Sequence, residues 1–191
     1  MVFFACMLSA LYWLYRKDRV LAQISLLPLF LWHFLGVFVL TDSLSGNYDY
    51  YLSLFSIVLL FLPYKTFFLQ LVIVLLYFLA GSIKIHEGWV LGTYFSSLQS
   101  GIPIFPEWST PIWTNLVICM EVIGAWFLLS KKDLYRYITI GFFICFHLYS
   151  GILVEYHYPS IVLPTLLILF GLFYEAQRIP ITFRSIYGWI L

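Results

Sequence analysis

Gln70, Tyr77 and Lys84 stand seven residues apart along one apolar run, and seven residues is almost two turns of an α-helix. The three side chains therefore form one nearly straight polar stripe on an otherwise hydrocarbon helix. Gln70 and Tyr77 can act as hydrogen-bonding glue between helices, with Lys84 snorkelling toward lipid headgroups; alternatively, the stripe leads to a reactive amine. Glu121 lies in the middle of a second apolar run, residues 117–124, with no neighbour in sequence to neutralise it. It must be protonated, or find a cation or hydrogen-bond donor on another helix. His147, on the next run, is its natural partner by depth. A Glu121–His147 hydrogen bond would either lock two helices together or relay protons, and both readings stand. Ser150 and Gly151, three and four residues further on, share the face of His147.

Other chemistries find no support in the pattern. His86, Glu87, Glu155 and His157 have the side-chain types of a metal site, but they come from two loops with no ligand spacing, so no metal is expected. The sequence holds no glycine-rich phosphate loop, no Ser-His-Asp order and no nucleophile elbow. His33 stands alone on an apolar helix and reads as a structural histidine.

The elements that must position these groups are membrane helices. Apolar residues make up 63% of the chain and charged residues 10%, too little polar surface for a water-soluble domain of 191 residues. A formal net charge of +1 gives no basic surface, so nucleic acid is not an expected partner. Cys6, Cys119 and Cys145 all sit inside apolar runs and read as buried thiols, not as a disulfide or a ligand set. No cleavable signal is expected, because the basic residues nearest the first run follow it. Candidate spans cover residues 2–15, 20–40, 50–63, 66–85, 111–130, 137–154 and 159–174, and the second, fourth and fifth are convincing alone. Pro63 cuts the third short, Pro164 kinks the seventh, and the first is short enough to be re-entrant or interfacial.

The breaks between runs alternate in charge. Arg16, Lys17 and Arg19 are followed by Asp42 and Asp49, then Lys65, then Glu87 and Glu107, then Lys131, Lys132 and Arg136, then Glu155, then Arg178 and Arg184. Loops bearing Lys and Arg stay in the cytoplasm. The N-terminus and the loops 41–49, 86–110 and 155–158 are therefore expected outside, and the C-terminus inside. Lys84 is the one cation left at the outer end of a span. The 86–110 loop places Gly88, Gly92, Gly101, Pro103 and Pro106 among Trp89, Tyr94, Phe95 and Trp108. Its length and composition predict a lid or binding loop at headgroup level. Residues 175–191 read as a cytoplasmic amphipathic tail.

The segment from Gln70 to Gly92 resembles the most characteristic stretch of the HTTM family, the transmembrane domain shared by vitamin K-dependent gamma-carboxylases and many bacterial proteins. Gln70, Tyr77, Phe78, Ala80, Gly81, Lys84, Trp89 and Gly92 carry the likeness, with Glu121 and the Phe146-His147 pair downstream. It extends over about residues 50–170. The resemblance implies that Lys84 is a catalytic base acting on a hydroquinone at an outward-facing site, which requires a neutral amine. His147 would orient an oxygen, Glu121 would be a polar partner, and Gln70, Tyr77, Trp89 and Ser150 would line the substrate site. The gamma-carboxylases add a large lumenal region that binds a propeptide, whereas this sequence ends at Leu191. The expected counterparts are therefore stand-alone bacterial members, such as the sporulation-delaying-protein-B type that helps mature a secreted peptide toxin. The small quinone-linked DoxX/MauE membrane proteins are similar in their Gly-then-Lys helix end.

The expectation is an all-α polytopic integral membrane bundle of about seven transmembrane helices. It would form one HTTM-like domain over residues 1–191, multi-pass in a bacterial cytoplasmic membrane. A cavity bounded by the fourth, fifth and sixth spans would take a quinone, a hydroquinone or a peptide from outside. The alternative is a non-catalytic subunit that scaffolds a partner membrane or secreted protein in a secretion or peptide-maturation complex. The lipid bilayer is a partner in either case. No inverted repeat or pair of interrupted helices points to a transporter.

Overall fold

The computed structural model describes residues 2–39, 47–97, 102, 104–154 and 157–172, and every regular element among them is helical. The N-terminal third is a meander. Helix α1 (Val2–Tyr15) turns back into α2 (Arg19–Phe38) through Lys17, whose φ of 61° lies in the left-handed region. Asp18 caps α2 by accepting from the backbone N–H of Leu21 at 3.0 Å. The hydroxyls of Ser9 and Ser25 meet at 2.8 Å and tie the two helices together. Helix α3 (Asn47–Phe61) packs on α2 and stops just before Pro63, as a helix must when the next residues cannot continue it.

Helix α4 (Lys65–Ser82) carries Gln70 and Tyr77, while Lys84, expected on the same helix, lies in the turn just beyond its end. Two short helices, α5 (Glu87–Val90) and α6 (Thr93–Ser97), follow, and a 3-10 turn at Glu107–Ser109 leads into α7 (Thr110–Val122). Pro111 in the first turn of α7 suits a position where no backbone donor is needed. Helix α7 gives way to a 3-10 segment, Gly124–Leu129. Val122, Ile123 and Gly124 in succession are weak α-helix formers, and the tighter winding begins there. Helix α8 (Asp133–Val154) and helix α9 (His157–Leu166) complete the bundle, with α9 widening after Pro164 into a π-helical segment, Leu167–Leu172.

The core lies where α4, α8, α9 and the 3-10 segment converge. Val74, Phe143, Leu128, Leu166 and Phe170 are fully buried there, with Ile73, Ile140 and Val162 around them. Two polar side chains fasten the π-helical segment to this core. Gln70 donates to the carbonyl of Leu169 at 2.7 Å, and Arg136 Nε donates to the carbonyl of Phe170 at 3.2 Å.

Among the described residues three helices, at Arg19–Gly36, Lys65–Ser82 and Asp133–Leu153, are long and apolar enough to cross a membrane. Phe4–Tyr15, Tyr50–Phe61 and Pro159–Gly171 are apolar but shorter. The three long helices are fewer than the seven spans expected. The fifth expected span breaks at Val122, whereas the sixth begins at Asp133 and, at 22 residues, is the longest helix among the described residues. Its start was hidden by Arg136, which the charge pattern assigns to a loop. Arg136 instead lies inside α8, 4% exposed, and also binds the Ser130 carbonyl at 3.3 Å and Asp133 at 2.6 Å. The cysteines are free thiols but less buried than expected: Cys119 and Cys145 are exposed on the outside of the bundle, and Cys6 is half-buried. The predicted tail 175–191, most of the 41–49 loop and Glu155 fall outside the described residues.

Candidate functional site

The site begins where α4 ends. Gly81, near the end of α4, lies against the last turn of α7, so close that a Cβ there would sit 2.7 Å from the Cβ of Glu121 and 2.8 Å from Cγ2 of Val122. Glu121 is eleven residues into α7, about 16 Å of helix from its first residue. The end of α4 is therefore level with the last turn of α7, well below the first turn of α7, and the chain beyond α4 continues into α5 and α6. Lys84, three residues past Gly81, lies between the end of α4 and α5, its side chain mostly buried.

From there its ammonium meets both carboxylate oxygens of Glu121, each at 2.6 Å. The side chains of the pair are 17% and 3% exposed, respectively. Such a pair is stable in apolar surroundings because the two charges cancel and the geometry supplies two charge-assisted hydrogen bonds. Aromatic rings close two further sides. Trp89 lies 5.1 Å from the ammonium, ring centroid to Nζ, and Phe146 lies 5.7 Å from it, both within reach of a cation–π attraction. Of the partners open to Glu121, a cation from another part of the chain is the one found: Lys84 engages both its oxygens, and His147 is hydrogen-bonded to another partner.

That partner is Tyr77. Its hydroxyl and Nε2 of His147 are 2.7 Å apart, and both residues are buried. Phe143 holds the phenol in place by stacking on it, with ring centroids 3.9 Å apart and planes 16° from parallel. Beside Tyr77, on the side of α3 and α9, Tyr51, Ile73, Leu76 and Val162 line a small apolar crevice.

The stripe foreseen on α4 thus fans out to three different elements: Gln70 to the π-helical segment, Tyr77 to α8 and Lys84 to α7. The structure brings Lys84, Glu121 and Trp89 together, and Tyr77 with His147. Gln70 lies apart, bound to a backbone carbonyl, which is the role of interhelical glue. The Ser150 hydroxyl donates to the His147 carbonyl at 3.1 Å within its own helix. Among the described residues no group of three metal-ligating side chains occurs; Glu155 lies outside them, as does the side chain of His157.

Two residues that sequence reasoning passed over complete the surroundings. Phe146, noted only as part of a motif, supplies a wall for the ammonium. Asn115 donates from Nδ2 to the carbonyl of Val90 at 2.7 Å and to that of Pro111 at 2.6 Å, pinning α5 onto α7. A polar residue five positions into an apolar helix was the available signal. Comparison with family models, with curated proteins and with solved structures finds no match for this chain.

Chemically, the arrangement can move protons without creating net charge. Passing one proton from Lys84 Nζ to a Glu121 oxygen converts an ion pair into a neutral amine beside a neutral acid, a change that low-dielectric surroundings tolerate. The amine so formed has a lone pair and sits between two aromatic faces.

Proposed function

We propose that this chain is an HTTM-like multi-pass membrane protein of about seven spans. It acts as an enzyme, or as the membrane subunit of one, on a quinone-like or peptide substrate from the extracytoplasmic side. In this reading the C-terminus is cytoplasmic, the membrane is a bacterial cytoplasmic one, and the Lys84–Glu121 pair occupies its outer half. The observation that carries the reading is the bidentate Lys84–Glu121 ion pair, sheltered by Trp89 and Phe146 within an otherwise apolar bundle. Buried ionisable residues in such surroundings are costly and mark working sites by default. A planar ring bearing oxygen fits this donor set, because two aromatic faces flank a charged donor. Lys84 then anchors a substrate oxygen or, once its proton has passed to Glu121, accepts a proton from it. Tyr77 and His147 form a second hydrogen-bonded pair that keeps a phenol and an imidazole in fixed orientation.

The test is occupancy. Quinones co-purifying with the full chain in detergent are extracted and quantified by mass spectrometry, for the wild type and for Lys84→Ala and Lys84→Met. Loss of bound quinone in both folded variants supports the reading, and unchanged occupancy overturns it.

A second reading, a non-catalytic scaffold subunit, is supported by α1. That helix packs mainly on α2 and exposes Phe4, Leu8, Leu11 and Tyr15, a surface that a partner membrane chain could cover. Obligatory co-purification of a second polypeptide favours the scaffold; a stable, monodisperse monomer disfavours it.

A further inference from the structure

The end of α4 is covered from above by a segment that is held far more lightly than the helices around it. Helix α5 has four residues, none of them buried, and α6 has five. Trp89 stacks on Tyr94, ring centroids 5.6 Å apart and planes 16° from parallel, and meets the edge of Phe95 at 5.0 Å. The segment therefore carries its own small aromatic cluster. One polar attachment to the bundle is the Asn115 amide on the Val90 carbonyl, made at an exposed position. Gly92, between the two short helices, has a φ of +73° and lies against Thr110, where a Cβ would come within 2.8 Å of Cγ2. The glycine thus sits tightly against the first turn of α7, at the joint between the two short helices. Segments with few buried contacts and exposed hydrogen bonds open at low cost compared with packed helices.

The other walls of the Lys84–Glu121 pair are α4, α7 and α8, which are packed helices. A solute from the outer side reaches the ammonium by displacing Trp89. We propose that α5 and α6 form a lid over the Lys84–Glu121 pair, with Trp89 as its roof, Gly92 as its pivot and Asn115 as its latch. This rests on the reading of that pair as the working site. The lid sets access: closed, it keeps water from the ion pair and preserves the low dielectric; open, it exposes Nζ to a substrate. Asn115 is a positioning residue and touches nothing that reacts.

The test reads accessibility of Lys84 and needs no substrate. The full chain in detergent is treated with a water-soluble acylating reagent, sulfo-N-hydroxysuccinimide acetate, and the acetylation rate of each lysine is followed by peptide mass spectrometry. In the wild type Lys84 reacts slowly relative to Lys65, Lys131 and Lys132. Asn115→Ala is expected to raise the Lys84 rate about fivefold, the population change that loss of one ordinary hydrogen bond gives. Trp89→Ala raises it further, and the rates at Lys65, Lys131 and Lys132 stay constant. The lid is overturned if neither variant changes the Lys84 rate, or if Lys65, Lys131 and Lys132 speed up along with it, which signals general loosening. Quinone occupancy of the Lys84 variants is read separately, so failure of the lid leaves the proposed site standing, and the reverse.

Discussion

Gly81 and Glu121 are in contact across the closest approach of α4 and α7, with no room for even one carbon on the glycine: a Cβ there would stand 2.7 Å from that of the glutamate. This contact sets the level at which the two helices meet. Three residues on, it brings the amine of Lys84 within 2.6 Å of the carboxylate. The ion pair is thus a consequence of backbone proximity, with charge attraction completing what packing begins.

Gly81→Ala should therefore do more than overpack a helix interface. It is expected to destabilise the protein by about 1–3 kcal/mol and to raise the acetylation rate of Lys84 as the pair is pushed apart. Thermal unfolding in detergent and lysine labelling check the two effects together.

Removing one member of the pair leaves the other charged and buried. Lys84→Met and Glu121→Leu should each cost about 3–5 kcal/mol, while the double substitution should restore stability to near that of the wild type. A purely structural pair predicts a double variant that also keeps its bound quinone. A working pair predicts a stable double variant that has lost it. Unfolding curves and quinone content of all four proteins separate the cases.

Tyr77→Phe keeps the ring that stacks on Phe143 and removes only the hydroxyl that meets His147. The expected loss is about 1 kcal/mol, against about 3–5 kcal/mol for Tyr77→Ala, which empties part of the core. Similar losses for the two would mean that the hydrogen bond dominates the site and the stacking contributes little.

Arg136 and Gln70 hold adjacent carbonyls, those of Phe170 and Leu169. Arg136→Leu, which orphans several partners at once, is expected to cost about 2–3 kcal/mol, and Gln70→Leu about 1 kcal/mol. Because both act on the same π-helical segment, their effects should not add. Additivity in a double-variant unfolding experiment would show that the two contacts are independent.

Much of the helical layout is legible in the sequence, because long apolar runs broken by Pro63 and by charged clusters leave few alternatives. The start of α8 was not, since Arg136 looks like a loop residue until one sees the carbonyls it serves. The site was legible in its members and not in its pairings. Lys84, Glu121, Tyr77 and His147 stand out as polar residues in apolar runs. Their partners depend on how far each helix is shifted along its neighbour, which no spacing within a single run encodes. The end of α4 falls beside the last turn of α7, which brings Lys84 to Glu121, while Tyr77, about two turns earlier on α4, meets His147 on α8.

The end of α4 also has neighbours of unequal strength. Among the described residues two short helices follow directly on Lys84, while long packed helices flank it. Under the proposed lid, an oily reactant and a water-borne one would reach the nitrogen through the same thin covering.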